Sequence, residues 1–294
     1  MRLTLVTGAA VVLGDTAPSP RPAWVPASRA RRCDPLTLLA CAAVDRLMEG
    51  LIDAHQPLHA DAALVVGTAY GSVTSTLRFC DDQQAFGDGG GSPSAFTASV
   101  HNATAGTIGE WLGLHGPTST ISHGALSALA ALRWGMLLLA SGRAPEVLVI
   151  AADHHCPFTT QVIGDVTHHQ WPIQGGAVAL RLSTTGLGRE IRLGEFPAPL
   201  AIDAGAPHAA DERWLASSAH AHHQQRSTAP VVCGGWWPTA ALAAAPWTDA
   251  RALQFRAIDH AERMSLWLGP LGLGPLGLGP LELGPLDIGQ SHAS

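Results

Sequence analysis

The sequence predicts an α/β fold with a largely parallel sheet, on the strength of three observations. Short apolar runs that suit buried strands alternate along the chain with longer runs at helical spacing. The 294 residues are 47% hydrophobic and only 14% charged, which allows a large core. The 32 glycines and the continuous apolar runs are typical of a sheet that helices cover on both faces. The length fits one large domain or two small ones.

The individual elements follow from local signals taken in chain order. Asp34 followed by Pro35 predicts a helix start, because an acidic N-cap and a first-turn proline both favour one. Asn102 is expected to cap a second helix through its side chain. Gly142 predicts the end of a third, since glycine commonly follows the last helical residue. The predicted strands are 3–7, 62–67, 118–122, 146–152 and 175–182, and the predicted helices are 36–52, 102–112 and 125–141.

The regular pattern fades beyond about residue 186. The end of the chain is a repeat, GPLGLGPLGLGPLELGPLDIG, in which every unit carries Gly-Pro. Because proline interrupts both helices and central strands, we expect neither to persist there, and we interpret the tail as disordered, with partner binding as the alternative. The sequence therefore divides into residues 1–185, a remodelled region 186–264 and a low-complexity tail 265–294.

The composition excludes several classes of function. A net charge of -6 argues against a nucleic-acid-binding protein, which needs concentrated positive charge. All 17 basic residues are arginine, so no Schiff-base, P-loop or general-base lysine exists. The five cysteines are widely spaced and odd in number, which is typical of reduced thiols in a cytoplasmic protein. No apolar run reaches the roughly 20 residues that span a bilayer.

Several stretches occur in the order found in one enzyme family. SVHNATAGTIGEWLGLHGPTSTIS (99–122) resembles an Asn-x-x-Ala-Gly helix followed by a Gly-Pro-Ser/Thr strand. ALSALAALRWGMLLLASGRAPEVLVIAADHH (125–155) resembles a nucleophile helix and the next core strand, and QGGAVALRL (174–182) resembles the strand that closes the first half. LTLVTGAAVVLG and ALVVGTAYGS match more loosely. The chain thus resembles the N-terminal half of the β-ketoacyl synthases, the condensing enzymes of fatty acid and polyketide synthesis. The resemblance implies a thiolase-like fold whose C-terminal part is truncated or remodelled.

Ala125 is the main departure from the family. In active members a cysteine in an Ala-Cys-Ser type turn attacks the acyl thioester, and counting from Gly116 and Pro117 aligns Ala125 with that cysteine. A methyl group cannot form a thioester, so covalent acyl transfer is lost there.

The family's other catalytic groups are also missing. They are two histidines, in His-Gly-Thr-Gly-Thr and Asn-x-Gly-His contexts of the C-terminal half, with a lysine nearby. Here the His-Gly pairs begin at His115 and His123, within the N-terminal half, and no lysine exists. The joint loss indicates a dedicated non-catalytic role.

The resemblance implies a chain that is inactive on its own in the β-ketoacyl-ACP synthase reaction. It would pair with an active ketosynthase as a chain length factor does, in fatty acid, polyketide or aryl-polyene-type biosynthesis. A heterodimer and an acyl carrier protein are the implied partners, and no cofactor is implied. The implied acyl-tunnel entrance comprises Ser122, His123, Gly124, Ala125 and Leu126. The implied subunit interface comprises His101, Asn102, Ala103, Gly106, Thr118, Ser119 and Thr120.

Two other hypotheses remain open. An acyltransferase or hydrolase could use a different nucleophile, of which Cys156, just after a predicted strand, is the main candidate. Ser122, Ser127 and Asp153 do not form a triad on spacing, because nothing supplies a base at a known distance. The other hypothesis is a degenerate ketosynthase remnant without a present role.

The histidine clusters suggest a metal site, but their spacing is wrong for one. They are His154-His155-Cys156, His168-His169 and His220-Ala221-His222-His223. Adjacent residues point in different directions, so neighbouring histidines seldom bind one ion. No H-x-x-x-H or C-x-x-C spacing accompanies them. We therefore expect solvated loop histidines and no metal.

Overall fold

The structure is a computed structural model that describes residues 4–13, 21–53, 57–124, 126–167, 175–186, 188–195, 211–216, 253–259 and 262–271. Its elements are β1 (Leu5–Leu13), α1 (Ala27–Ala30), α2 (Pro35–Asp53), β2 (Ala63–Gly67), α3 (Val73–Phe86), α4 (Pro93–Ser99), α5 (Ala103–Leu112), β3 (Thr118–Ile121), α6 (Ser127–Ala140), β4 (Glu146–Asp153), α7 (Pro157–Thr167), β5 (Gly176–Ser183), β6 (Arg189–Glu195), β7 (Asp211–Ala216), β8 (Leu253–Asp259) and β9 (Glu262–Leu271). The strands form one sheet in the order β3-β2-β4-β5-β1-β6-β9-β8-β7. Within the described ranges, no helix combines the length and apolarity needed to cross a membrane.

The sheet separates two apolar layers. Val65 and Val149 point into the layer under α6, whereas Leu64 and Leu148 point into the layer under α2 and α5. This alternation follows from strand geometry, in which successive side chains lie on opposite faces. Every residue of β2 and β4 is buried, because helices cover both faces. The predicted α/β class is therefore confirmed.

The sheet is mixed, so the expectation of a mostly parallel sheet is wrong. Strand β2 pairs in parallel with β3 and β4, but β5 runs antiparallel to both of its neighbours, β4 and β1. Almost all of β5 is buried, as in the parallel strands. A continuous apolar run is therefore expected for a buried strand whether it is parallel or antiparallel to its neighbours, and the sequence does not reveal the direction of β5.

Most predicted elements are confirmed within a few residues, with two exceptions. Helix α2 begins at Pro35, and Oδ1 of Asp34 accepts the amide of Leu36 at 2.9 Å. Strand β1 extends to Leu13 rather than ending at residue 7. Asn102 precedes α5, but its side chain makes no capping hydrogen bond, and that expectation is wrong. Its backbone, with φ -92° and ψ 5°, is not the extended conformation that directs a capping side chain at the helix amides.

The four strands β6 to β9 follow residue 186, where the sequence predicted little regular structure. Strand β9 lies between β6 and β8 and includes the first Gly-Pro of the repeat. The β6–β9 register shifts there, so that Glu190 alone lies opposite Gly269 and Pro270. This bulge accommodates the proline, because a bulged residue need not donate to the ladder. The repeat thus does not exclude a central strand at its first unit, and later units lie outside the described residues.

Glu146 and Arg181 form a nearly buried ion pair between β4 and β5. Nε and Nη2 of Arg181 donate to Oε2 of Glu146 at 2.7 and 2.5 Å, and the two side chains are 11% and 6% exposed. The second oxygen of Glu146 accepts the amide of His59, and Nη2 of Arg181 also donates to the carbonyl of Pro57 at 3.3 Å. The pair therefore attaches the segment before β2 to the sheet.

We expect Arg181→Met to lower the free energy of unfolding by about 3–5 kcal/mol, because it leaves the buried Glu146 carboxylate without its cation. Chemical denaturation of the purified chain measures this loss. Arg29→Met is the matched control, since the pair between Arg29 and Glu110 is exposed and its removal should change stability little. Equal losses of stability in the two variants would contradict a stabilising role of the buried pair between Glu146 and Arg181.

Helix α6 approaches β2 closely at Gly67. A Cβ at that position would lie 2.7 Å from the carbonyl oxygen of Ser127 and 2.9 Å from Cβ of Ala131. Real Cβ atoms do not approach backbone so closely, so glycine is needed for α6 to lie on the sheet.

We expect Gly67→Ala to destabilise the fold by about 1–3 kcal/mol, because the new methyl group must push α6 away from β2. Gly106→Ala is the control, because a Cβ at this exposed helical position would meet nothing within 4 Å. Alanine there should stabilise α5 by about 0.5–1 kcal/mol. Thermal and urea unfolding of both variants test whether Gly67→Ala lowers the stability while Gly106→Ala raises it.

Candidate functional site

The turns that follow β2, β3 and β4 lie together at the carboxyl ends of these strands. The three strands are parallel neighbours, so their carboxyl ends lie side by side, and this is where sites in α/β proteins gather. The predicted entrance turn 122–126 follows β3 and leads into α6. Its neighbours are the turn that begins at Thr68 and the segment that begins at His154.

Asp153, at the end of β4, holds the turn after β2. Its Oδ1 accepts three hydrogen bonds, from Oγ1 of Thr68 and the amide of Ala69 at 2.8 Å each and from the amide of Tyr70 at 3.1 Å. Oγ1 of Thr68 in turn accepts the amide of Gly71 at 3.0 Å. The carboxylate is fully buried, and these donors offset the cost of burying it. Asp153 therefore has a structural role.

Sequence reasoning did not identify this role of Asp153 or Thr68. One signal was available, because Asp153 is an acidic residue that directly follows the apolar run 147–152. Such a residue needs hydrogen-bond donors when the strand end is buried. On spacing, the sequence predicts no triad of Ser122, Ser127 and Asp153. In the structure Oδ1 of Asp153 accepts hydrogen bonds from the turn after β2, while the hydroxyls of Ser122 and Ser127 donate to the carbonyls of Ala69 and Gly124.

The entrance turn is fixed by Ser127, the first residue of α6. Its Oγ donates to the carbonyl of Gly124 at 2.6 Å and accepts the amide of His123 at 2.9 Å. Gly124 has φ +50°, a left-handed conformation that glycine adopts without strain. Ser122, His123 and Gly124 are exposed, and Leu126 is buried. Ala125 lies outside the described residues.

The predicted interface residues form an accessible surface. His101, Asn102, Gly106 and Thr118 are exposed, and Ala103, Ser119 and Thr120 are half-buried. Strand β3 is the edge of the sheet and pairs with β2. Nε1 of Trp134, on α6, donates to Oγ of Ser119 at 3.2 Å. The structure thus brings one face of α6 beside β3.

The histidines near the end of β4 are not simply solvated, which corrects the expectation. His155 is buried, and its ring meets the ring of Tyr70 edge-on with centroids 5.7 Å apart. Nδ1 of His154 lies 3.4 Å from Oγ1 of Thr74. Among the described residues, no three metal-ligating side chains cluster. The pair His168-His169 and the cluster at 220–223 lie outside those residues.

Cys33, Cys41 and Cys156 do not have the surroundings of an activated nucleophile. Cys156 is buried, and its sulfur lies 3.7 Å from the hydroxyl oxygen of Thr159. Burial raises the pKa of the Cys33 thiol and, more strongly, the pKa of the Cys41 thiol. A raised pKa disfavours the thiolate, which is the reactive form.

Comparison with known proteins gives a family match. The sequence profile described as "Beta-ketoacyl synthase, N-terminal domain" matches residues 9–233. A search of curated protein sequences gives no match. Among solved structures, "The ishigamide ketosynthase/chain length factor" is similar to this chain, with 18% identity and a TM-score of 0.68. The alignment covers 92% of this chain and 99% of that chain.

Two further structures are similar at 13% identity, each over 92% of this chain and 100% of the other. One is "AntDE:AntF (apo): type II PKS acyl-carrier protein in complex with its ketosynthase bound to the hexaketide", with a TM-score of 0.70. The other is a β-ketoacyl synthase from Burkholderia phymatum STM815, with a TM-score of 0.65. At these identities the likeness shows the fold, and it confirms the predicted thiolase-like architecture. Since the profile covers well over half of the sequence, the chain belongs to the β-ketoacyl synthase family.

Proposed function

We propose that the chain is a non-catalytic ketosynthase-like subunit of the chain length factor type. It pairs with an active β-ketoacyl-ACP synthase in the cytoplasm and serves chains bound to an acyl carrier protein, in fatty acid, polyketide or aryl-polyene-type biosynthesis. Two of the similar structures support this, because one is a ketosynthase/chain length factor and the other is an acyl-carrier protein in complex with its ketosynthase.

The edge of β3 is the observation that carries the proposal. Among the described strands β3 pairs with β2 alone, so the backbone groups on its other side have no strand partner. Such an edge invites pairing with another chain. Trp134 and Leu137 lie nearly one turn apart on α6 and are 38% and 51% exposed. An edge strand beside exposed apolar side chains suits a subunit interface that joins two sheets.

The alanine at position 125 supports the proposal that the chain is not catalytic. Alanine offers no nucleophile, and the alignment of this position with the family's cysteine rests on the spacing from Gly116. Ser122, His123 and Gly124 are exposed beside this position and are proposed to line the tunnel entrance. A tunnel wall needs shape and apolar surface, and these do not require a reactive group.

Acyl transfer by a different nucleophile is less well supported. Cys156 is buried, and the partner recorded for its sulfur is a hydroxyl group, which is not a general base. Ser127 is committed to Gly124 and His123 through hydrogen bonds that fix the turn. Neither residue is therefore poised for attack.

Co-expression with the ketosynthase encoded nearest to this chain tests the proposal. One subunit carries a tag, and size-exclusion chromatography follows affinity purification. A one-to-one complex whose condensing activity is lost without this chain is the expected result. A chain that ignores the ketosynthase and forms an acyl adduct on its own would overturn the proposal.

We expect Leu137→Asp to abolish or strongly reduce co-purification, because it places a charge in the proposed apolar contact. The exposed position makes a folding defect small, which the melting temperature of the chain checks. Val162→Asp on α7 is the matched control, because Val162 is also aliphatic and is 43% exposed. Loss of binding in both variants, or in neither, would contradict an interface at β3 and α6.

We expect Ala125→Cys to create at most a thiol that accepts an acyl group, without condensing activity in the isolated chain. The chain has no lysine and neither of the family's decarboxylation motifs, His-Gly-Thr-Gly-Thr and Asn-x-Gly-His. Mass spectrometry after incubation with an acyl carrier protein thioester measures acylation, and product analysis measures condensation. Condensation by the isolated variant would show that the chain retains a complete site.

A further inference from the structure

Thr120, in the edge strand β3, carries a buried hydroxyl group without a hydrogen-bond partner. Its Oγ1 is inaccessible to solvent, and no donor or acceptor among the described residues reaches it. The residue as a whole is nevertheless half-buried. The hydroxyl group therefore points inward at a position where part of the residue reaches the surface.

The two faces of β3 explain this position. Ser119 accepts a hydrogen bond from α6, and Ile121 packs against the layer under α6. By alternation, Thr118 and Thr120 face the opposite layer, under α5. A Cβ added at Gly109 of α5 would lie 3.8 Å from Oγ1 of Thr118, which agrees with this assignment. The Thr120 hydroxyl is thus directed toward an apolar layer.

A buried hydroxyl without a hydrogen-bond partner is unfavourable, and rotation of the side chain offers the hydroxyl another position. Rotation about the Cα–Cβ bond exchanges the positions of the threonine hydroxyl and methyl groups among staggered conformers. In a strand pair, opposed side chains lie about 4.5–5.5 Å apart at Cβ, and threonine hydroxyls commonly bond across that distance. A strand added to the open side of β3 would place such a group opposite Thr120.

We propose that Thr120 is a polar anchor of the subunit interface, and that the added edge strand of a ketosynthase-fold partner supplies its missing hydrogen bond. This inference rests on the proposed function and deepens it. The matching group is a hydroxyl, amide or carbonyl on the partner's edge strand. The isolated chain thus retains an unsatisfied group that pairing resolves, which favours the paired state.

Thr120→Val tests the anchor, because valine keeps the shape of threonine and removes the hydroxyl. In the complex with the co-expressed ketosynthase, the dissociation constant should rise about fivefold, the effect of one hydrogen bond. In the isolated chain, the melting temperature should stay unchanged or rise, because an unsatisfied polar group is removed. Thr120→Ser keeps the hydroxyl and should bind like the unmodified chain. Thr160→Val, at an exposed position on α7 outside the proposed interface, is the control and should leave the affinity unchanged.

The outcomes separate this inference from the proposed function. An unchanged dissociation constant for Thr120→Val, with the unmodified chain still binding, would overturn the anchor alone. A lower melting temperature of the isolated variant would also overturn it, by showing that the hydroxyl is already satisfied within the chain. Failure of the unmodified chain to bind any ketosynthase would instead overturn the proposed function. If Thr120→Val weakened only the association of two copies of this chain and not its binding to the ketosynthase, the choice of partner would be overturned.

Discussion

The close approach of α6 to β2 is the constraint on which this end of the molecule depends. The Ser127 carbonyl and the Ala131 methyl group occupy the space where a side chain on Gly67 would stand. Helix α6 therefore begins directly against the sheet, and the turn before it cannot move outward independently. Because Ser127 also binds His123 and Gly124, one residue fixes both the start of the helix and the turn. The geometry of the predicted entrance turn thus follows from packing and from the hydrogen bonds of Ser127.

Asp153 gives the neighbouring turn a similar support. Its fully buried carboxylate gathers donors from Thr68, Ala69 and Tyr70, so the chain leaving β2 is fixed to the end of β4. A buried carboxylate that lost these donors would be strongly destabilising, and the turn and the strand end therefore form one unit. The turns after β2 and β3 are consequently positioned by hydrogen bonds to Asp153 and Ser127.

The sequence predicted the parts of the fold that depend on local signals. Asp34 with Pro35 marks the start of α2, and the apolar runs 63–66 and 147–152 mark β2 and β4. It could not predict the direction of β5, because a strand buried on both faces has the same pattern either way. The buried position of His155 was also missed, since its contact with Tyr70 joins residues far apart in sequence. The bulge at Pro270 depends on the partner strand β6, and the sequence of β9 alone does not reveal that partner.

Under the proposed function, these packing and hydrogen-bond supports let a ketosynthase fold lose its nucleophile and keep its surface. The supports at Gly67, Ser127 and Asp153 involve backbone groups and buried side chains of the described residues. Strand β3 is held in place by β2, α5 and α6, and none of these described elements pairs with its open edge. In the proposed function, catalysis would depend on position 125 and subunit pairing on the open edge of β3, so the first can be lost while the second is kept.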